Sequence, residues 1–336
     1  MKSTLIVMPT GTGKTVVMGA IASRWPTGRI LILAHREELV FQAAEKIGQM
    51  CNEHCGVEMA DASVSEGEDW KPRIVVASVQ TLNAKRKKQW RMKKFDPAEF
   101  SLVMTDEAHH ATATTYQRIY EWMGKNPSMR HLGVTATPDR TDEEALGQVF
   151  DTVAYDYEIL NAIDDGWLVP IEQHFTMVDG LDLSSCKSHK NDLQDSDVAR
   201  AMLQEGPLHE VASAVQQLSE DRPTLIFTAA VEHAVKVAEI LNRHEPDSAV
   251  AIHGKTPKDE RREHLKSYSR GEFQYLVNMG VFLEGFDAPQ IGCVANARPT
   301  KSRSLYAQVI GRGTRPLAGV VDGLPDAEAR RKAIYH

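Results

Sequence analysis

Short apolar runs alternate with amphipathic stretches along the 336-residue chain, and this alternation limits its possible folds more than any other feature. In the first half, five runs are apolar on both faces, which is typical of buried parallel strands. They read STLIVMP, RILILAH, RIVVASV, SLVMTDE and LGVTATP. The stretches GKTVVMGAIASRW and REELVFQAAEKIGQM have the apolar spacing of helices. The first half is therefore predicted to form a parallel α/β sheet.

A second alternating set follows after a change in composition. The stretch Asp164–Leu203 contains Gly, Pro, Ser and mixed charge, and predicts a linker with a polar excursion. Strands are then predicted at PTLIFTA, SAVAIHG, QYLVNMG and GCVANAR, and helices at VEHAVKVAEILNRH, Arg261–Ser269 and SLYAQVIGR. We expect domains at 1–160 and 206–336, joined by 161–205, as two parallel-sheet domains facing each other across a cleft.

Composition bounds the class of protein and its location. Hydrophobic residues make up 42% of the chain and charged residues 25%, values of a soluble globular protein. Because no apolar run approaches membrane-spanning length, we expect no membrane partner and a cytoplasmic location.

Charge is concentrated in one short run, although the net charge is −7 and does not itself predict nucleic-acid binding. The run Lys85–Lys94, KRKKQWRMKK, holds seven Lys or Arg and one Trp. It could contact phosphates with Trp90 stacked on a base, or it could be a solvated basic loop or helix face. The sequence leaves both readings open.

The strongest local motif is the loop Met8–Thr15, MPTGTGKT, between a predicted strand and a predicted helix. Glycines make backbone N–H groups available, and the helix N-terminus adds its partial positive charge, so the loop can cradle phosphates. Lys14 supplies a charge to those phosphates, and the Thr15 hydroxyl can bind Mg²⁺. The loop therefore predicts nucleotide binding.

Acidic residues follow another strand, at LVMTDEAHH. Asp106 can hold Mg²⁺ through water, while its neighbour Glu107 can polarise an attacking water. The Thr135 and Thr137 hydroxyls, in GVTATPDR, could bond this acidic segment.

Basic residues near the end of the chain suggest a further part of the site. In QVIGRGTR, the positions of Gln308, Arg312 and Arg315 predict one face of a helix. Two arginines so placed suit arginine fingers that reach a γ-phosphate across the cleft.

Eight segments occur in an order that resembles a superfamily 2 helicase of the DEAD/DEAH-box type. They are MPTGTGKT, AHREELVFQ, SVQTL, DEAH, TATP, LIFTAAVEHA, LVNMGVFLEGFDAP and QVIGRGTRP. The stretch RPTKSRSLYAQVIGRGTRP and the residues Gly285 to Asp287 resemble the branch of type III restriction subunits and bacterial or phage DNA repair helicases. The resemblance covers Leu5 to Pro316.

The resemblance implies an α/β protein of two tandem RecA-like domains, an ATP hydrolase of the P-loop NTPase class that uses Mg²⁺. It implies a nucleotide site at Thr10, Gly11, Thr12, Gly13, Lys14, Thr15, Gly285 and Asp287, with Mg²⁺ at Thr15 and Asp106. It implies catalytic roles for Asp106, Glu107, Gln308, Arg312 and Arg315, and interdomain coupling through His109 and Gln308. It implies nucleic-acid contacts at Arg36, Gln80, Thr81, Thr135, Thr228, Gly254 and Asn278.

Three departures from the family pattern lead to further expectations. Only Met1–Val7 precede the phosphate loop, where relatives carry a glutamine that reads adenine, and relatives continue beyond the chain's last residues, RRKAIYH. We therefore expect both ends to be truncated. Leu283 stands where a threonine usually contacts nucleic acid.

The leading function is an ATP-dependent helicase or translocase acting as a monomer on nucleic acid, with DNA favoured over RNA. Three alternatives stay open: a double-strand translocase that never separates strands, an RNA helicase, and a binding module that does not hydrolyse ATP. The sequence contains no nuclease motif, so cleavage would need a nuclease or repair partner.

Overall fold

The chain forms two compact units. The computed structural model describes residues 2–35, 37–64, 71–86, 88–136, 146–189, 192–281, 288–317 and 319–335. Contacts divide the chain into a first unit, Met1–Ala162, and a second unit, Ile163–His336. The predicted domain and linker boundaries at 160 and 205 stay a prediction.

A seven-stranded parallel sheet forms the centre of the first unit. Its strands are β1 (Lys2–Val7), β2 (Arg29–Ala34), β3 (Gly56–Glu58), β4 (Ile74–Ser78), β7 (Phe100–Asp106), β8 (Arg130–Thr135) and β9 (Thr152–Asp156). Between β4 and β7, β5 (Lys85–Arg86) and β6 (Gln89–Trp90) form a separate hairpin. The sheet order is β3-β4-β2-β7-β8-β1-β9.

The five strands predicted in this half are confirmed as β1, β2, β4, β7 and β8. Strand β2 is buried along its whole length, as expected of a strand covered on both faces. The edge strand β9 was not predicted, because all five of its residues are exposed and it has no apolar run. It pairs in parallel with β1 at the edge of the sheet.

The helices of this unit are α1 (Lys14–Arg24), α2 (Glu37–Cys51), the single turn α3 (Val79–Leu82) and α4 (Thr114–Met123). A short helix, α5 (Ile159–Asp164), spans the boundary between the two units. Helices α1 and α2 approach closely at Gly19, where an added Cβ would lie 2.6 Å from the Met50 sulfur. One cluster of buried apolar residues, including Leu33, Val103 and Tyr116, packs α4 against the sheet.

The second unit has a four-stranded parallel sheet in the order β13-β14-β12-β15. Its strands are β12 (Thr224–Thr228), β13 (Ala249–His253), β14 (Tyr275–Met279) and β15 (Cys293–Ala297). Its helices are α6 (Asp195–Met202), α7 (Glu205–Ser219), α8 (Val231–His244), α9 (Lys258–Ser269), α10 (Arg303–Ile310) and α11 (Ala327–Tyr335). All four predicted strands are confirmed, and α8 has the predicted bounds.

The polar excursion is attached to the second unit. It contains a short hairpin of β10 (Ser188–His189) and β11 (Asp192–Leu193). The Asp192 carboxylate accepts hydrogen bonds from the Lys301 amide, at 2.7 Å, and the Thr300 hydroxyl, at 2.8 Å. Helix α6 buries Val198 and Met202 in the core of this unit. The excursion therefore braces the segment that leads into α10.

None of the helices in the described part of the chain combines the length and apolar character needed to cross a membrane.

Candidate functional site

The loop between β1 and α1 has the backbone that phosphate binding requires. Gly11 and Gly13 have φ values of 93° and 88°, in the left-handed region that side-chain-bearing residues rarely adopt. Gly13 precedes α1, and no side chain caps the helix N-terminus. The Thr12 hydroxyl donates to the Pro9 carbonyl at 2.8 Å, which closes the loop upon itself. The first turn of α1 holds no acidic residue, so its partial positive charge is available to an anion.

Lys14 and Glu107 form an ion pair that joins the loop to the end of β7. The Lys14 Nζ and Glu107 Oε1 atoms are 3.2 Å apart, and the side chains are 12% and 13% exposed. Both charges are thus largely shielded from water, which strengthens their interaction. A phosphate group at the loop would compete with the Glu107 carboxylate for Lys14. The Lys14–Glu107 ion pair would therefore differ between the nucleotide-free and the nucleotide-bound site.

Asp106 and Glu107 lie at a strained bend. Glu107 has a φ of 47°, and its backbone N–H donates to the Asp106 carboxylate at 2.9 Å. A non-glycine residue in the left-handed region costs about 1–2 kcal/mol. Such strain often occurs where a side chain must be held in a functional direction. The two adjacent carboxylates therefore have distinct surroundings: Asp106 accepts from the Glu107 backbone N–H, and Glu107 pairs with Lys14.

Thr135 connects the acidic segment to the start of the phosphate loop. Its hydroxyl lies 3.1 Å from His109 Nδ1, and its carbonyl accepts from the Met8 amide at 2.9 Å. His109 Nδ1 is also 3.5 Å from Glu107 Oε2. Thr135 was predicted to bond the acidic segment, and its hydroxyl contacts that segment at His109. Thr137 lies outside the described residues.

Histidine rings extend this arrangement toward Gln80, although the sequence argument assigned no role to His35 or His110. The His109 and His110 ring centroids are 4.1 Å apart, and those of His110 and His35 are 4.8 Å apart. His35 Nδ1 lies 3.1 Å from Gln80 Nε2. A usable signal was present, because both histidines come just after buried strands and the carboxyl ends of parallel strands meet at one edge. A contact chain therefore runs from Gln80 to Glu107.

The donor set at this edge fits a nucleotide with Mg²⁺. The left-handed glycines and the uncapped α1 N-terminus form a cradle for phosphate. Asp106 and Thr15 offer a carboxylate and a hydroxyl, the oxygen ligands that Mg²⁺ prefers beside phosphates. Thr10 is buried, and Thr15 is partly exposed in the first turn of α1.

The residues proposed to contact nucleic acid differ in exposure. Gln80 and Gly254 are exposed. Four other side chains are buried and hydrogen-bonded inside the protein: Thr81, Thr135, Thr228 and Asn278. This burial favours a supporting role for these four over direct contact with phosphate. Arg36 lies outside the described residues.

Asn278 shows why burial matters for this assignment. It is fully buried in β14, and its side-chain nitrogen donates to the Ile226 carbonyl of the adjacent strand at 3.0 Å. The Thr228 hydroxyl donates to the Asn278 carbonyl at 2.9 Å. Both side chains therefore hold β12 and β14 together near their carboxyl ends.

The prediction that Gln308, Arg312 and Arg315 share one helical face is wrong. Helix α10 contains Gln308 but ends at Ile310, so both arginines lie in the turn beyond it. Gly311 ends the helix, and the Arg312 amide donates to the Val309 carbonyl at 3.2 Å as the chain turns. Gln308 and Arg312 are buried, at 8% and 5% exposure.

Gly285 and Asp287 lie outside the described residues, as does Leu283. Their predicted roles stay predictions.

Two protein families match the chain. The family described as the res subunit of type III restriction enzymes matches residues 1–140, and the helicase conserved C-terminal domain matches residues 208–316. The two matches cover separate halves, in the order expected from the eight sequence segments.

Curated relatives span nearly the whole chain. IRC3 of Saccharomyces cerevisiae, named as an ATP-dependent helicase, is 31% identical over 92% of this chain and 46% of its own length. The mitochondrial ATP-dependent helicase irc3 of Schizosaccharomyces pombe, so named, is 32% identical over 95% of this chain and 52% of its own. A type I restriction enzyme EcoAI endonuclease subunit of Escherichia coli is 27% identical over 93% and 41%. The chain spans about half the length of the two yeast relatives.

Solved structures share the fold. A fragment of a type I restriction enzyme HsdR subunit from Vibrio vulnificus has a TM-score of 0.65 and 24% identity, over 93% of this chain and 57% of that chain. Dbp5 of S. cerevisiae, bound to RNA and ADP BeF3, has a TM-score of 0.60 and 15% identity, over 94% and 77%. The two-domain RecA-like α/β fold is therefore confirmed.

Proposed function

We propose that this chain, which belongs to superfamily 2 of the helicases and is related to their type III restriction and repair branch, couples ATP hydrolysis to movement along DNA. The observation that carries the proposal is the pairing of Lys14, from a phosphate-binding loop, with Glu107 at an adjacent strand end. A general base so placed suits attack of water on a phosphate held by the loop.

The proposed first step is an exchange of partners at Lys14. Before nucleotide binds, the Lys14 ammonium neutralises Glu107. The phosphates then take over Lys14, and the Glu107 carboxylate is released to accept a proton from the attacking water. This exchange would suppress the base until the substrate is in place.

Other residues of the loop hold and orient the substrate. Backbone amides from Gly11 to Lys14 bind the phosphates, and we assign Thr15 and Asp106 to the Mg²⁺ site. When bound there, Mg²⁺ neutralises charge that develops on the phosphate oxygens. We keep Gln308, Arg312 and Arg315 as proposed catalytic residues of the second unit.

Binding of nucleic acid is proposed to influence the general base, Glu107, through the chain of histidine contacts. Gln80 is exposed, as a contact to a phosphate backbone must be, and His35 and His110 lie between it and His109. A shift of Gln80 on binding would be passed by direct contact to His109, which lies beside Glu107. Nucleic acid would thereby stimulate hydrolysis.

The partners and location belong to the same proposal. DNA is favoured as the track, because the first unit matches a restriction-enzyme family and one relative is a restriction endonuclease subunit. That relative also supports a nuclease or repair protein as a partner. We propose that the chain acts as a monomer in the cytoplasm.

ATP hydrolysis by the purified chain tests this function. Turnover is measured alone and with single-stranded DNA, duplex DNA or RNA, beside a Lys14→Ala variant. We expect DNA to stimulate turnover and Lys14→Ala to abolish it. Stimulation by RNA alone would identify an RNA-dependent enzyme instead. ATP binding without turnover under every condition would contradict the proposal and identify a binding module.

A further inference from the structure

The basic run Lys85–Lys94 divides into two groups of cations that do different things. Arg91 and Lys94 turn inward to Glu58, a carboxylate with no exposure to solvent. The Arg91 Nη2 and Glu58 Oε1 atoms are 2.6 Å apart, and Lys94 Nζ binds the other carboxylate oxygen. The Val64 amide also donates to Glu58, at 3.0 Å. These two cations therefore serve to fix the base of the β5–β6 hairpin.

Four other cations of the run, Lys85, Arg86, Lys88 and Lys93, are exposed, and two tryptophans lie close to this group. Lys85 and Arg118 lie over the Trp90 ring, 4.7 and 4.4 Å from its centroid. Lys93 and Lys125 lie over the Trp122 ring, at 5.9 and 4.1 Å. With the exposed hairpin residues, they form what we name the basic face: Lys85, Arg86, Lys88, Lys93, Arg118 and Lys125.

The basic face is one continuous surface, because the hairpin segment is attached to α4. The Trp122 indole N–H of α4 donates to the Phe95 carbonyl at 3.0 Å. Arg118, also on α4, donates to the Asn83 side chain at 2.6 Å, just before the hairpin. Both tryptophans pack on the core of the first unit. The surface is thus held in place before any partner arrives.

The charge of this surface is not neutralised by the protein. Across the part of the chain that the structure describes, none of its six cations forms an ion pair with a carboxylate, in contrast to Arg91 and Lys94. The whole chain carries a net charge of −7, so this local excess of positive charge is opposite in sign to the charge of the protein as a whole. A polyanion is the partner that this surface fits.

The surroundings of the tryptophans indicate which kind of polyanion the basic face binds. Base stacking needs an open aromatic face, but the Trp90 ring already contacts two cations and the core. The face therefore offers charge and no stacking platform. Charge-only recognition favours duplex, because a duplex carries a negative charge about every 1.7 Å of its axis, and each strand only half as many.

We propose that the basic face binds the phosphate backbone of duplex nucleic acid, next to the track contact at Gln80. Gln80 lies in α3, and Asn83 directly after that helix connects it to Arg118. The inference rests on the proposed function, since it places the duplex beside the segment that the motor contacts. It identifies a duplex-holding surface separate from the residues that bind ATP.

Binding to a labelled duplex of about 20 base pairs tests the proposal, measured by fluorescence anisotropy over a series of salt concentrations with a single strand in parallel. The test variant is Arg86→Glu with Lys88→Glu. The control variant is Lys236→Glu with Lys266→Glu, which changes the net charge equally at two lysines that already pair with carboxylates. Anionic vesicles provide a second polyanion.

We expect the test variant to lose about tenfold or more in duplex affinity, and its salt slope to fall by about 2. Single-strand affinity should change by less than about threefold, and the control variant should bind as the wild type does. Unchanged duplex affinity would overturn the proposal. An equal loss for single strand and duplex would overturn the duplex assignment, and vesicle binding without duplex binding would identify a membrane surface.

The basal ATPase rate separates this inference from the proposed function. The basic face contains none of the ATP-binding residues, so turnover without nucleic acid should be the same in the test variant and the wild type. If the wild type binds duplex through this face but hydrolyses no ATP, the proposed function fails and the basic face stands. If turnover is stimulated by DNA but the test variant binds duplex normally, the basic face fails alone.

Discussion

The first strand of the larger sheet in each unit leads through a loop into a helix, but the two loops differ in backbone and in chemistry. In the first unit, β1 leads through left-handed Gly11 and Gly13 into α1, with Lys14 at its start. In the second unit, β12 leads through two alanines into α8, with Glu232 in its first turn. Both helices lack a side-chain cap at the residue before their first turn. The difference between the units therefore lies in the loop and the charge of that turn.

The second loop is closed by protein instead of being open to an anion. The buried His233 ring accepts from the Ala229 amide at 3.3 Å, an N–H that a phosphate-binding loop would present to its ligand. Glu232 places a negative charge at the helix N-terminus, where it would repel phosphate. The loop after β1 therefore has a backbone suited to phosphate, whereas the corresponding loop after β12 has neither left-handed glycines nor a basic residue.

The largest effect that this comparison predicts is the loss of ATP turnover when Glu107 is replaced. Glu107→Gln should lower kcat for ATP by about 10³-fold, or about 4 kcal/mol, because a general base is lost. ATP affinity should be kept, since glutamine cannot hold Lys14 as an ion pair. A coupled ATPase assay and titration with a fluorescent nucleotide measure the two quantities.

Glu232→Gln is the matched control for the second unit. It neutralises a carboxylate at the corresponding helix start and should leave kcat unchanged. Equal losses in both variants would contradict the assignment of the base, as would normal turnover by Glu107→Gln.

The buried histidines give the next largest effect, and it depends on pH. Burial lowers the pKa of His131 to about 3 and that of His233 to about 4. In the unfolded chain these two histidines bind a proton below about pH 6.5, whereas in the folded protein they stay neutral at that pH. The free energy of unfolding therefore falls as the pH decreases. His131 should account for about 2 kcal/mol of the stability lost between pH 7.5 and pH 5.

Urea unfolding of wild type and His131→Gln at the two pH values tests this contribution. Tryptophan fluorescence reports mainly the first unit, which holds four of the five tryptophans. The variant should lose less stability on acidification, whereas the control His244→Gln, at an exposed position, should behave as the wild type does. Identical pH dependence in all three proteins would refute the prediction.

Much of the fold was predictable because buried parallel strands have a simple sequence signal. Strands such as β2 are apolar at every position after Arg29, and polar or charged residues stand at the ends of such strands, as Asp106 does in β7. The exposed strand β9 carries no such signal. The helix predicted to carry Gln308, Arg312 and Arg315 is too long, because the spacing of these residues takes no account of Gly311 and Gly313 between them. Contacts such as His35 with His110 depend on sheet order, which local patterns do not give.

A smaller effect is expected for the loop backbone itself. Gly13→Ala should weaken ATP binding by about tenfold, since alanine at a φ of 88° costs about 1–2 kcal/mol and shifts the loop. An added Cβ would meet Val16 only at 3.6 Å, so conformation and not collision is the cause. Nucleotide titration measures it.

Gly206→Ala provides the corresponding substitution in the second unit. Gly206 lies exposed in α7 with an ordinary helical backbone, so alanine should leave ATP affinity unchanged. Normal ATP affinity in Gly13→Ala would show that the left-handed loop is not required.

The smallest effect concerns how the second unit holds its polar excursion. Burial alone raises the pKa of Asp192, but hydrogen bonds from the Lys301 amide and the Thr300 hydroxyl outweigh it, so the pKa of this carboxyl lies below its usual range. Asp192→Asn should reduce the free energy of unfolding by about 1 kcal/mol, because charged acceptors bind more strongly than neutral ones. Thermal unfolding followed by circular dichroism measures this loss.

Asp182→Asn, in the same excursion, is the control, since Asp182 is exposed and accepts a hydrogen bond from the amide of the nearby Ser184 at 2.8 Å. It should change stability less than Asp192→Asn does. ATP affinity should be normal in both variants, because the phosphate loop belongs to the first unit. If Asp192→Asn weakened ATP binding as strongly as Gly13→Ala, the excursion would influence the nucleotide site, and the separation between a phosphate-binding unit and its partner unit would no longer hold.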